Sequence, residues 1–198
     1  MRSKTTLTVT VLGGIAALAL AGCSGTGGTA GPTTGASTTT ATSSGPTISN
    51  PLDTTKFQQD LCSGLTPAQL APYMGQVGNK NAVSKTDNAG CDLHPADIHK
   101  PAVSIDFYPK LGPSAMIASG SNFPYFKNLD PIQGYPAQDS SMANPPNGQC
   151  GTSISVSDHV TVGVQVQLTD TSSQYYNNTC AASEALASLL LDNIKASR

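Results

Sequence analysis

Apolar and polar residues alternate along several stretches in the middle of the chain, which is the pattern of half-buried β-strands. The alternation is clear over residues 103–108 and longest over 160–168, where Val or Leu occupies every second position. A shorter apolar pattern at 154–156 precedes the long one, and only residues 157–159 separate the two. So short a connection leaves room for a hairpin but not for a crossover helix. The pattern therefore predicts antiparallel strands.

Helical patterns flank these strands on both sides. Thr66-Pro67-Ala68-Gln69 is a capping box with proline in the first turn, and it predicts a helix over 66–75. Apolar residues at helical spacing predict a second helix over about 180–196. The expected fold is α+β, a single domain with an antiparallel sheet covered by an N-terminal and a C-terminal helix.

Residues 110–150 between these elements carry a weaker pattern. A helix can begin over 114–119, and a short strand is expected around 133–139; loops account for the rest. Aromatic residues concentrate in this region, and two interpretations of their role are possible. They form a surface that contacts a ligand or a partner, or they pack as core beneath an irregular segment. The residues are Phe123, Tyr125, Phe126 and Tyr135.

The beginning of the chain has the layout of a lipoprotein signal. Two basic residues precede an uncharged apolar stretch over 7–21, which ends in Leu20-Ala21-Gly22-Cys23. The stretch of about 15 residues is shorter than the roughly 20 that a membrane-spanning helix needs. We therefore expect residues 1–22 to be a cleaved signal peptide. Cys23 is expected to carry a lipid on its sulfur, with palmitate among the acyl chains, and to hold the protein at the extracytoplasmic face of a cell membrane.

A linker follows the expected anchor. Residues 24–50 consist almost entirely of Thr, Gly, Ser, Ala and Pro, with no charged residue. Such a segment has too little apolar surface to offset its ordering entropy, so disorder is expected over 23–51. The Thr-rich composition also fits a glycosylated stalk, and a bare tether is the alternative. The folded domain is expected over 52–198.

Charge and cysteine content narrow the class of protein. Without the signal peptide, eight Lys/Arg stand against twelve Asp/Glu, and no basic cluster suggests nucleic acid as a partner. Once Cys23 carries a lipid, four cysteines remain, an even number in an exported chain. They allow three disulfide connectivities. Pairing within each half of the domain is favoured, because each of its two bonds closes a short loop. The favoured pairs are Cys62–Cys91 and Cys150–Cys180.

No catalytic or metal-binding motif is evident. The serine-hydrolase elbow, phosphate-binding loops and the H-E-x-x-H motif are all absent from the sequence. The nearest approach to a metal cluster is Asp92, His94, Asp97 and His99, whose spacing is irregular and interrupted by prolines. We expect no metal, no cofactor and no enzymatic activity, although a catalytic site assembled from distant segments would leave no local motif.

Three short motifs resemble a known family. They are Asp-Leu-Cys-Ser-Gly-Leu-Thr-Pro-Ala-Gln-Leu at 60–70, Gly90-Cys91, and Gly134-Tyr135-Pro136-Ala137. Together they resemble actinobacterial, mycobacterial-type cell-envelope lipoproteins with a C-terminal domain of unknown function. The resemblance implies an α+β domain attached to the envelope, and it brings no catalytic residue.

Two functions are compatible with these features. The first is a binding domain displayed on a membrane anchor, whose partner is an unknown envelope component or protein. The alternative is a carrier of an apolar ligand, such as a lipid, held between the sheet and a helix. The Val-rich strands fit the carrier, and they fit an ordinary core equally well.

Overall fold

The computed structural model describes residues 46–197. The predicted signal peptide, the lipidated Cys23 and most of the predicted linker lie outside this range. The strands are β1 (Val77–Ser84), β2 (Ala89–Pro95), β3 (Ala102–Tyr108), β4 (Tyr125–Asn128), β5 (Ala137–Ser141), β6 (Gln149–Ser155) and β7 (Thr161–Gln167). The helices are α1 (Thr55–Gln59), α2 (Pro67–Met74), α3 (Pro113–Ser119) and α4 (Thr179–Ala196), and a 3₁₀ turn follows α3 at Gly120–Asn122.

These seven strands form one antiparallel sheet in the order β1-β2-β3-β7-β6-β5-β4. The two strands with the clearest alternation, β3 and β7, are neighbours in its middle, and Ile105 pairs with Val164 there. β6 and β7 form the expected hairpin, closed by the bond from the Val156 amide to the Val160 carbonyl. The predicted α+β fold is confirmed.

Helix α4 packs across β6 and β7 and covers one face of the sheet. Its apolar stripe includes Leu186 and Leu190, which are fully buried in the same core cluster as Ile105 and Val164. Leu70 of α2 belongs to that cluster as well. Apolar side chains therefore fill the space between the sheet and α4, where a carrier of the kind considered above would hold its ligand.

The capping box at the start of α2 is confirmed. The Thr66 hydroxyl accepts a bond from the Gln69 amide at 3.3 Å, and the Gln69 Oε1 accepts one from the Thr66 amide at 2.9 Å. The Asn193 Nδ2 also donates to the Gln69 Oε1, at 2.9 Å. The cap thus begins α2 and joins it to α4.

The folded domain begins earlier than the sequence pattern indicates. The composition of residues 46–51 predicts linker, yet Ile48 is buried in the core and its amide donates to the Asp158 carboxylate at 2.8 Å. The Asn50 carbonyl accepts a bond from the Tyr135 hydroxyl at 2.7 Å. A single apolar residue in a Thr/Ser-rich segment gives no periodicity, so its burial was not predictable from the pattern.

Both favoured disulfides are present. Cys62–Cys91 joins the segment before α2 to β2, and Cys150–Cys180 joins β6 to the first turn of α4. Each bond links a covering segment to the sheet. The local pairing is therefore the correct one of the three connectivities.

Two elements differ from the sequence expectation, and a third agrees with it. β1 was not predicted, because it is an edge strand with mostly exposed residues and no apolar alternation. The strand expected around 133–139 is β5, four residues further on, since a tight turn with positive φ at Gln133 and Gly134 precedes it. The helix expected over 114–119 is α3.

Among residues 46–197, no helix combines the length and the apolar character that a membrane span requires.

Candidate functional site: a cleft on the sheet

A cleft of about 410 Å³ lies on the sheet face opposite α4, which we call the cleft face. Side chains alternate across a strand, so the neighbours of the buried core residues point to this side. Four strands contribute one row of paired residues to its floor: Asp106, Gly163, Ser153 and Gln138. The adjacent row contains Gln165, Gly151 and Ser140.

Helix α3 and the turn after it cover one end of the cleft face. The Gln138 Nε2 donates to the Met116 carbonyl at 3.2 Å, and the Ser155 hydroxyl contacts the Met116 sulfur at 3.4 Å. The segment that follows α3 lines the cleft with Asn122 and Phe123. The cleft is thus bounded by the sheet on one side and by the α3 segment on another.

Two glycines lie in the floor where larger residues would fit. A Cβ at Gly163 would meet its nearest neighbours at 3.6 Å, and one at Gly151 at 3.8 Å, both ordinary contact distances. Neither glycine has a positive φ. Glycine weakens the interior of a strand, and its presence there often marks a bulge, a bend or the close approach of a ligand or another backbone. The register of β6 and β7 is regular at both glycines, so neither marks a bulge. These two glycines keep the floor of the cleft open.

Gln138 carries a buried polar atom without a partner. Its side chain lines the cleft and is 3% exposed, and its Oε1 has no hydrogen-bond partner among the described residues. A buried acceptor that lacks a donor costs about 1–3 kcal/mol. A ligand that donates a hydrogen bond would recover the loss.

Asp106 is the carboxylate of the cleft. Burial raises the pKa of Asp106 to about 6, with a further increase from Asp92 and an opposing effect of Lys85. Burial and the nearby Asp106 charge raise the pKa of Tyr108 to about 12. At neutral pH Asp106 is therefore mostly ionised, while the Tyr108 hydroxyl keeps its proton and can donate.

The sequence-predicted aromatic residues do not come together. Phe123 lines the cleft, whereas the Phe126 ring packs against Gly120, where a Cβ would come within 2.7 Å of it. Tyr125 pairs with Ser141 in the sheet and does not itself line the cleft. Tyr135 is a buried core residue whose ring lies under the Lys195 ammonium, 5.2 Å from it.

The residues considered for a metal are also spread apart. His94 is exposed on β2, the Asp97 carboxylate accepts a bond from the His99 amide, and the His99 Nδ1 lies 3.4 Å from the Asp170 carboxylate. A different group is compact: ligand atoms of Asp139, Cys150 and Cys180 lie within 4.8 Å of one another. Both sulfurs belong to a disulfide, so this group offers a metal one carboxylate only.

Most of the chain matches the model of a protein family. The model of a family described as a protein of unknown function, DUF3558, matches residues 18–193. The chain belongs to the DUF3558 family. No curated protein and no solved structure matches the chain. The cleft of this DUF3558 domain must therefore be interpreted from its own residues.

Sequence reasoning missed most of the cleft in the DUF3558 domain. Asp106 and Gln165 appeared only as the polar members of alternating strands, and Gln138 lay near the end of a poorly defined one. The signals that could have drawn attention to the site are Gly151 and Gly163, since glycine is unfavourable inside a strand. Their shared position became visible only through the register of β6 and β7.

Proposed function

We propose that this chain is a lipid-anchored protein of the extracytoplasmic membrane face whose folded domain binds a small molecule in the cleft. The lipobox at residues 20–23 supports the anchor, and the Thr-rich residues after it support a tether. The two disulfides fit a compartment outside the reducing cytoplasm.

The observation that carries the binding role is the cleft itself. It combines a concave volume of about 410 Å³ with a floor opened by Gly151 and Gly163 and with the unpaired Oε1 of Gln138. Small-molecule sites have volumes of about 300–1,000 Å³ and contain a few polar groups that orient the ligand. The cleft meets both criteria.

We further propose that the cleft binds without catalysis. Among its lining residues Asp106 is the one carboxylate, and neither histidine nor cysteine accompanies it. Acid–base chemistry at such a site generally requires a second group to exchange the proton.

The anchor can be tested by Cys23→Ser in the full chain, expressed in a bacterium that processes lipoproteins. We expect the wild-type protein to fractionate with membranes and to carry a lipid mass on its N-terminal cysteine. C23S should lack that mass and stay unprocessed or leave the membrane. An unlipidated wild-type protein would contradict the anchor.

The binding role can be tested with the full chain in a detergent that has no sugar headgroup. The protein is incubated with extracts of the envelope of its own organism and examined by native mass spectrometry. We expect a bound small molecule in the wild type and none in Gly151→Leu, whose side chain fills the floor.

The matched control is Asn81→Leu. Asn81 is exposed on β1 and does not line the cleft, although it pairs with Asp92 on the same sheet face. N81L should bind as the wild type does. Absence of any bound molecule, or equal binding by G151L, would reject the cleft as the site.

A further inference from the structure

We infer that the cleft takes a neutral polyhydroxylated ring, a pyranose sugar or a short saccharide, because its lining combines neutral hydrogen-bonding side chains with aromatic rings around an unpaired buried acceptor. This inference rests on the proposed function, which makes the cleft a ligand site. It goes further by specifying the chemical class of the ligand.

The charges of the cleft disfavour an anionic ligand. Asp106 contributes a carboxylate, and no Lys, Arg or His stands among the lining residues. An anion would therefore meet like charge without a compensating cation. A cation would find one carboxylate and otherwise neutral groups. The lining suits a ligand without net charge best.

Neutral amide and hydroxyl side chains dominate the polar lining. Each amide offers both donors and an acceptor, and each hydroxyl both donates and accepts, as the hydroxyls of a sugar do. No side-chain hydrogen bond within the described residues engages these groups, so they are available to a ligand. The residues are Asn122, Ser140, Gln149, Ser153 and Gln165.

The apolar part of the lining fits the C–H faces of a ring. Tyr108 and Phe123 place aromatic rings at the cleft, and the glycine floor at Gly151 and Gly163 presents flat backbone. Aromatic side chains combine a large apolar surface with a defined ring geometry, and Tyr adds a polar hydroxyl. A pyranose needs this combination, because its hydroxyls project at the rim while its C–H bonds form apolar faces.

The unpaired Oε1 of Gln138 determines whether the ligand must donate or accept hydrogen bonds. This atom accepts and cannot donate, and the ionised Asp106 also only accepts. Asp106 and Gln138 stand at opposite ends of their row in the floor. The ligand must therefore bring donors to both ends of that row, as a short saccharide can. Sugar hydroxyls are neutral donors, and they retain lone pairs that can accept from Gln165 or Tyr108.

A series of probes that share one ring and differ in charge tests this inference. Saturation-transfer NMR on the full chain, in the same detergent, compares glucose and N-acetylglucosamine with cationic glucosamine and anionic glucuronate. Maltose, cellobiose and trehalose extend the series to two rings. We expect binding of at least one neutral saccharide, with saturation received by its ring C–H protons. We also expect the charged analogues of the same ring, glucosamine and glucuronate, to bind about tenfold more weakly than that neutral saccharide.

Three variants locate the binding. G151L should abolish the saturation transfer, and N81L should leave it unchanged. Phe123→Ala should weaken binding about tenfold while leaving the melting temperature near that of the wild type, because Phe123 is only partly buried. Binding that survives in G151L would overturn the inference.

The outcomes separate this inference from the proposed function. If an envelope molecule binds in a manner sensitive to G151L but no neutral saccharide does, the cleft is a ligand site and the ligand class is wrong. Preferential binding of glucosamine or glucuronate overturns the inference in the same way. If neither extract nor probe binds, the proposed function fails as well.

Discussion

Asp139 lies beneath helix α4, 1% exposed, where the Thr152 hydroxyl donates to it at 2.7 Å. The pKa of Asp139 is raised to about 7, chiefly by burial and further by Glu184, while the bond from Thr152 and the charge of Lys127 lower it. An unfolded Asp titrates near 3.8. The folded state therefore holds this proton more tightly than the unfolded chain does. The contribution of Asp139 to stability is fully present below pH 4 and is lost as the pH rises to about 7.

Asp139→Asn should remove this loss. Asparagine keeps an oxygen that can accept the Thr152 bond, and it carries no charge to bury. We expect D139N to become more stable relative to wild type as the pH rises from about 4 to about 8, by up to about 4 kcal/mol. Urea denaturation at a series of pH values measures the difference.

Asp130→Asn provides the control, because Asp130 is exposed. The difference in the free energy of unfolding between D130N and the wild type should stay the same over this pH range. A constant difference between D139N and the wild type would show that the folded state does not retain the Asp139 proton.

Asp106 gives a second pH-dependent prediction, on binding. Above its pKa of about 6 the carboxylate is a charged acceptor for a ligand hydroxyl, and below it the acceptor is weaker. We expect saccharide affinity to fall several-fold from about pH 7.5 to about pH 5, with a midpoint set chiefly by the burial of Asp106 and further by Asp92 and Lys85. Asp106→Asn should bind weakly at both pH values. A pH dependence that persists in D106N would assign the titration to another group.

The strands that could be predicted from the sequence are those with one buried side. β3 and β7 bury apolar side chains in the core on one side and carry polar residues on the other, so their alternation is strong. The α2 helix has a local signal in its capping box. β1 lies at the sheet edge with almost every residue exposed, and no apolar pattern marks it. An edge strand is determined by pairing with β2, which is information outside its own residues.

Substitution by valine distinguishes a glycine that the strand needs for packing from a glycine that leaves room for a ligand. Gly151→Val should stabilise β6 by up to about 1 kcal/mol, since Val is a better strand residue and its Cβ has room. It should also abolish ligand binding, because the added side chain occupies the floor. Urea denaturation and saturation-transfer NMR on the same preparation measure both effects.

Gly90→Val is the opposite case on the same sheet face. A Cβ there would clash with the Ile105 carbonyl oxygen, so this glycine is required by packing. G90V should lose stability. If G151V loses stability as G90V does, the glycine in β6 is structural, and its link to a ligand is removed.

At the scale of the whole molecule, the cleft could not be predicted from sequence because distant segments assemble it. Asp106, Gln138 and Gly163 come from three strands, and the strand order that brings them together runs β3-β7-β6-β5. The disulfide pairs were predictable, since short loops favour local pairing. The register of a seven-stranded sheet depends on long-range contacts that no local pattern records.

The two disulfides lead to a prediction for the molecule as a whole. They join residues 29 and 30 positions apart, for which loop closure gives about 3–4 kcal/mol each. Cys91 in β2 and Cys150 in β6 are three strand spacings apart, roughly 14 Å, so their contributions should add. We expect C62A/C91A and C150A/C180A each to lose about 3 kcal/mol. The quadruple variant should lose about twice that, a large part of the stability of an ordinary domain.

Urea denaturation of the wild type with and without dithiothreitol separates loss of the bonds from loss of the sulfur atoms. A quadruple variant no less stable than either pair would show that the bonds constrain one shared unfolding step.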